Sequence, residues 1–420
     1  MSNSSYPSII ITVNGLQLKR WTSFSLTKDL DELSNSFSAS FTSGHDLAAI
    51  QDWWKIHLGD PCEIELAGDV VMYGWIEEVV VDYTEDTHKL TLSGRDRLCD
   101  LVDCSPIVKT EWWGERASVI IQDLCTPFGI PVNFSPGIQE RMNEIISEQV
   151  KVNEGDSAFD TISRICNYKA VLPTSDGGHT LKISAEGTRR ATSPLKIGYN
   201  ILQATSSEHN SERFNHYIVK ASEKGSNNTD VIETAQAQGE ADDSRISRYR
   251  PLVVISDKSA NSADCEVRAQ WEAVIRAGKS RQVHYLVPGW TQRDGSLWNV
   301  NMIVEIDDPI LGIDTSKTKT PRGQPYGVSS DDIYPYARPY GALISKIEFT
   351  FDEEEGSLTL LTVVDSFTYC PFPDVNALSF GTALSDDFQD DRLSEEVTQR
   401  LEEGQAEAER RMEEARRTAP

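Results

Sequence analysis

The sequence predicts a mostly β protein: two antiparallel β-barrel or sandwich domains of similar topology, an α+β domain inserted between them, and a C-terminal helix. Three observations carry this. Apolar and polar residues alternate through the first hundred positions, a helical period takes over after LCDLVDCSP, and strand signals then return in a block laid out like the first.

The opening strands run in order as IIITV before Asn14-Gly15, FSLTK, SFSASFT before Ser43-Gly44, EIEL before Gly68-Asp69, VVMYGWIEEVVVDY and KLTLSG. Such closely spaced turn signals suit a barrel or sandwich. One interruption, HDLAAIQDWWKIHLGD, sets Leu47, Ile50, Trp53 and Trp54 at helical spacing. It predicts a short joining helix with both tryptophans in the core. Residues 1–104 form the first expected domain.

The inserted α+β domain is expected over 105–198. WWGERASVIIQDLCTPFGI predicts a helix ended by Pro127 and Gly129, and DSAFDTISRICNYKA a second, with Phe159, Ile162, Ile165 and Cys166 on one face. AVLPTS and HTLKIS then pair around Asp176-Gly177-Gly178.

Residues 199–370 are expected as the second β-domain, with a polar loop and a helix inserted at about 225–280. The stretch GSNNTDVIETAQAQGEADDSR is too hydrophilic to bury and is read as a loop. The helix, from about 260 to 277, is expected to turn Ala263, Val267, Trp271 and Val274 or Ile275 to one side. Strands follow in RQVHYLVPGW, LWNVNMIVEID, GALISKIEFTF and SLTLLTVVDSF, with an acidic hairpin tip from Asp352 to Gly356.

The two β regions share a layout: a strand, a Tyr-Gly step, a long strand, an acidic turn and a Leu-Thr-Leu strand. Gly74 to Leu90 spans 16 residues and Gly341 to Leu358 spans 17. A duplicated domain is the simplest explanation. Residues 371–420 are expected as a linker and an acidic helical tail, in which Leu393, Val397, Leu401 and Met412 make a thin stripe, the mark of either a solvated helix or one that docks a partner.

The charge limits function. Forty Lys and Arg face 66 Asp and Glu, a net −26. Such a surface repels phosphate backbones and anionic membranes, which disfavours a protein that reads nucleic acid. No positive n-region opens the sequence and no window is apolar enough to cross a membrane, so neither secretory signal nor membrane insertion is expected.

Signatures of chemistry are missing. Ala277-Gly278-Lys279-Ser280 resembles the end of a phosphate-binding loop but lacks its first glycine and follows a helical pattern. No nucleophile elbow or metal-binding His pair is present, and the seven cysteines are irregularly spaced. No catalytic residue, cofactor or metal is expected. A carbohydrate-active enzyme using paired carboxylates, Glu77 with Asp96 for example, and the tryptophan surplus is the alternative. Ser93-Gly94-Arg95-Asp96-Arg97 stands out: Arg95, Asp96 and Arg97 sit where a strand meets a helical face, either as a capped turn with a local ion pair or as an Arg–carboxylate contact between subunits.

At this motif a family likeness emerges. LTLSGRDRLCDLVDCS resembles the segment that closes the first β-domain of Mu-type baseplate hub proteins from contractile-tailed phages. RAGKSRQVHYLVPGWTQRDGSLWNVNMIVEIDDP and LISKIEFTFDEEEGSLTLLTVVDSFTY are similar to that family's second β-domain. The resemblance runs from about Ile9 to Tyr369 and leaves out the 225–245 loop and the tail; the Asp314 to Tyr340 segment is longer than the motif requires. It implies two tail-tube-like domains per chain and a structural, non-enzymatic hub of the virion baseplate, assembled in the host cytoplasm. It further implies a homotrimeric, pseudo-sixfold ring between the hexameric tail tube and the trimeric central spike. Tape-measure and other baseplate proteins are further implied partners, and DNA passes the lumen without specific binding.

Overall fold

The computed structural model describes residues 8–19, 21–43, 55–84, 88–169, 171–185, 187, 189–222, 236–255, 262–311, 313–315, 341–366 and 368–369. The expected Trp53–Trp54 helix, most of the Asp314 to Tyr340 segment, Cys370 and the tail with Leu393, Val397, Leu401 and Met412 lie outside the described residues.

Alternation becomes sheet. The first region folds as β1 (Ile9–Val13), β2 (Leu16–Leu18), β3 (Ser23–Asp29), β4 (Ser36–Ser43), β5 (Pro61–Leu66), β6 (Asp69–Tyr83) and β7 (His88–Asp96). In β1, Ile9, Ile11 and Val13 are buried and Ile10 and Thr12 are not, because successive side chains leave opposite faces of a strand. Asn14 and Gly15 both take positive φ, 50° and 79°, the geometry that turns one strand tightly into the next.

The middle region comprises α1 (Cys99–Asp103), β8 (Glu111–Arg116), α2 (Ala117–Cys125), β9 (Val132–Phe134), α3 (Gln139–Asn143), β10 (Ile145–Lys151), α4 (Ala158–Lys169), β11 (Leu172–Ser175) and β12 (Leu181–Ser184). It has a core of its own, with Leu98, Ile120, Leu124, Ile162, Ile165 and Ile183 buried together. The helix expected from Trp112 onward starts only at Ala117. Trp112 to Arg116 instead pair with β10, burying Trp112 and exposing Trp113, an alternation too short to stand out beside the helical run.

The remaining elements are β13 (Arg189–Arg190), β14 (Leu195–Lys196), β15 (Gln203–Glu208), β16 (His216–Ser222), β17 (Gln236–Asp242), β18 (Pro251–Ile255), α5 (Ser262–Lys279), β19 (Arg281–Pro288), β20 (Met302–Val304), β21 (Ile306–Asp308), β22 (Ile313–Asp314), β23 (Ala342–Asp352) and β24 (Gly356–Asp365). Part of the expected polar loop is strand: β17 pairs with β16 across its whole length. Its Ala237, Gly239 and Ala241 carry almost no hydrophobic signal. They are small because α5 lies directly on them; a Cβ on Gly239 would overlap the backbone of Cys265 and Glu266. For the same reason α5 turns Cys265, Ala269, Ala273, Val274 and Ala277 inward, and Val267 is exposed. The expected face is thus rotated toward the small residues.

The duplication appears in the strand order. Copy one runs β3-β4-β7-β6-β5 and copy two runs β15-β19-β24-β23-β20, with every neighbouring pair antiparallel. β3 pairs with β23 from Ser23↔Asp352 to Asp29↔Lys346, so both copies share one 13-stranded sheet. One core lies on one side of it, containing Phe24, Leu26, Leu92, Tyr285, Phe349 and Leu361.

Bulges fix how the copies correspond. β6 slips register between Ile76 and Glu78, and β23 between Ile344 and Lys346. Aligning these slips equates Glu78 with Lys346, Val81 with Phe349, Leu90 with Thr359 and Asp96 with Asp365. The Tyr-Gly and Leu-Thr-Leu matches are therefore each one residue out, Gly74 corresponding to Ala342 and Leu90 to Thr359. One residue matters, because it would turn every side chain to the opposite face.

Candidate functional site

Asp96, at the end of β7, is fully buried. Its Oδ1 accepts hydrogen bonds from Ser34 Oγ and Leu98 N, both at 3.0 Å. Its Oδ2 accepts from Asn35 N at 3.0 Å and from Ser175 Oγ at 2.6 Å. Ser175 belongs to β11, so this carboxylate ties copy one to the middle region. Tyr73 N donates to Gly177 O at 2.7 Å at the same seam. Gly177 and Gly178 have positive φ, and a Cβ on either would overlap the Val71 or Tyr73 carbonyl. Burial pushes the Asp96 carboxyl above its ordinary range, against the pull of those four donors. Burial likewise pushes the nearby Lys28 ammonium down, while Asp176 and Asp96 pull it back up.

The motif separates because β7 alternates. Asp96 points inward, whereas Arg95 emerges on the other face and grips two carboxylates of its own chain. Its Nε and Nη2 reach Glu77 at 2.8 and 2.7 Å, and its Nη1 and Nη2 reach Asp103 at 3.2 and 2.5 Å. The hydrogen bonds from Arg95 hold Asp103 below the usual carboxylate range. Arg97 Nη2 donates to Gly129 O at 3.4 Å. Sequence reasoning singled out Asp96 but missed Ser34, Lys28 and Ser175. The one available signal was the doubled glycine at 177–178, where an ordinary turn needs a single one.

The side of the sheet away from the core is a carpet of hydroxyls in copy one. Ser25, Thr27, Ser38, Ser40, Thr91 and Ser93 alternate with the core residues of β3, β4 and β7. Ser40 Oγ and Thr91 Oγ1 lie 2.9 Å apart, and Ser93 Oγ donates to Glu78 Oε2 at 2.9 Å. Copy two is more mixed there: His284 Nδ1 and Thr362 Oγ1 are 3.0 Å apart, and Lys346 pairs with Asp29 at 3.3 Å.

The suggestive motifs fall elsewhere. Ala277 to Lys279 close α5 at its C-terminal end, where helix polarity disfavours an anion, and Lys279 Nζ contacts Asp31 at 2.7 Å. Glu77 and Asp96, the carboxylates of the carbohydrate-active alternative, are committed to Arg95 and to the buried seam. Cys62, Cys99 and Cys125 are buried, which pushes their thiols up to about 12. Among the described residues no group of three or more His, Cys, Asp or Glu side chains could hold a metal ion.

The crystal structure of the 43 kDa tail protein of prophage MuSo2 from Shewanella oneidensis is similar, with a TM-score of 0.69 and 25% identity over 86% of this chain and 99% of that one. A tail protein from Neisseria meningitidis shares the fold at a TM-score of 0.68 and 18% identity, covering 87% of this chain and 98% of that one. Three domain families match successive stretches: "Mu phage baseplate assembly protein GpP-like, N-terminal" over residues 8–96, "Baseplate hub protein gp44-like, second domain" over 98–185, and "Mu phage baseplate assembly protein GpP, fourth domain" over 261–318. Baseplate hub protein gp44 of Escherichia phage Mu is 28% identical over 324 residues, which is 76% of this chain and 82% of that protein. Mu-type baseplate hub domains thus match three successive stretches of the chain, and its role is that of a phage baseplate hub or tail protein.

Proposed function

We propose that three copies of this chain close into a ring that adapts the hexameric tail tube to the trimeric central spike. The observation that carries it is the duplication within one sheet: each chain supplies two units of the same strand order, already joined edge to edge by β3 and β23. Three chains then supply six units, one face matching a sixfold partner and the other a threefold one. Closure also removes the exposed strand edges that a single chain would leave open to aggregation.

In this reading the hydroxyl face lines the channel. The net charge of −26 keeps DNA off the outer surface, while the Ser and Thr carpet lets it pass without binding. The acidic tail, with Leu393, Val397, Leu401 and Met412, docks the spike, the tape-measure protein or its own copies. The role is that of scaffold and adaptor, in the virion baseplate after assembly in the host cytoplasm. Native mass measurement with averaged particle images tests it. A three-chain ring with a central hole of duplex width is expected, and a compact monomer at micromolar concentration would overturn it.

A further inference from the structure

Copy two shows how two units join; in copy one, among the described residues, no strand occupies the matching half-joint. On β23, Ile347, Phe349 and Phe351 point to the core and are buried, because β3 lies along that edge with Phe24 and Leu26 opposite. The bulge alignment equates these three with Val79, Val81 and Tyr83 of β6. There Val81 is 37% and Tyr83 78% exposed. β5 covers the second edge of β6 only as far as Trp75, and among the described residues no strand pairs with that edge from Glu78 to Asp82.

The complementary half is equally open. β15 occupies in copy two the place that β3 occupies in copy one, and it ends the sheet with β19 as its one strand neighbour among the described residues. All its residues but Ala204 are exposed. The β4 and β19 registers equate Phe24 with Ala204, Leu26 with Ser206 and Lys28 with Glu208.

We propose that β15 of one chain pairs antiparallel with β6 of a second copy of this chain, in the register that β3 adopts on β23. Val79 then faces Glu208, Val81 faces Ser206, Asp82 faces Thr205 and Tyr83 faces Ala204. The assignment rests on the ring reading and specifies its seam. It also ranks the joints: the seam within a chain sets Phe and Leu against Phe, while the seam between chains sets Ala and Ser against Tyr and Val. Less apolar area is buried at the second, so the ring separates there and the joint within each chain stays closed.

Paired cysteines test both partner and register in the full-length protein. Val81→Cys with Ser206→Cys, and independently Asp82→Cys with Thr205→Cys, are expected to give reducible species at two and three times the chain mass. Either single variant is expected to give none. The slipped pair, Val81→Cys with Thr205→Cys, is expected to link at least tenfold less. Thr27→Cys with Glu348→Cys, across the seam within a chain, is expected to link without any increase in mass, which reports that the variants fold. Protein that sizes as a trimer yet gives no link between chains with either matched pair overturns the seam and leaves the ring standing. Protein that sizes as a monomer while the within-chain pair still links overturns both.

Discussion

Copies one and two share strand order and bulge position, yet they solve the same stretch of strand differently. Where copy two buries Ile347, Phe349 and Phe351 under a neighbouring strand, copy one leaves Val81 and Tyr83 exposed, and among the described residues no strand lies along that edge of β6 from Glu78 to Asp82. Where copy two packs Ser345 and Val364 in the interior, the corresponding residues of copy one are Glu77 and Arg95, an ion pair at the surface. The difference teaches that an internal duplication need not produce two equivalent halves. One copy completes its core within the chain, and the other keeps an edge for something outside it.

The strongest way to break that comparison is truncation at the equivalent position. Phe349→Ala removes a fully buried ring and is expected to destabilise the chain by about 3–5 kcal/mol. Val81→Ala at the matching site should cost the isolated chain under about 1 kcal/mol, with the loss appearing in assembly instead. Urea unfolding of the monomer against mass at graded dilution separates the two, and equal costs in the monomer would dissolve the distinction.

Next in size is the buried aspartate that ends the second hairpin strand in each copy. Asp96→Ala leaves the backbone N–H groups of Asn35 and Leu98 without their carboxylate, at about 1–3 kcal/mol each. Faster hydrogen exchange over 171–185 is expected, because Ser175 also loses its acceptor. Asp365→Ala in copy two should leave exchange in that segment unchanged.

The smallest effect is acidic and confined to copy one. Arg95 lowers the Asp103 carboxyl, so the stability this pair contributes is fully present above the ordinary Asp value of about 3.9. It is lost as pH falls through the lower folded value. Asp96 acts in the opposite sense: its carboxyl is raised, so its contribution is complete below the ordinary value and declines as pH rises through the folded one. The gap in thermal midpoint between wild type and Asp103→Asn should be constant well above the ordinary Asp value and close as pH falls below it through the lower folded value. With Asp103 half exposed, the underlying stability difference should be under about 1 kcal/mol.

Much of this molecule is legible in the order of its residues. Alternation in IIITV and FSLTK, the Asn14-Gly15 turn and the helical spacing of Ile162 and Ile165 each express a local rule, and each element forms where that rule places it. The candidate site is less legible. Asp96 was visible at a strand end, but Ser34 and Ser175 were not, because they lie 62 and 79 residues from it in sequence and nothing local marks them as its donors. β17 was hidden because Ala237 and Gly239 are small for the sake of a helix that arrives later in the chain.

Composition, period and turn chemistry by themselves determined the class: mostly β, duplicated, acidic, and without the local signatures of catalysis. These follow from neighbours a few residues apart. Only the tertiary structure decided the register of the duplication, the burial of Asp96 and the sheet edge that was left open. Each depends on which strand lies beside which, and a shift of one residue, which leaves composition and period untouched, exchanges the two faces of a strand.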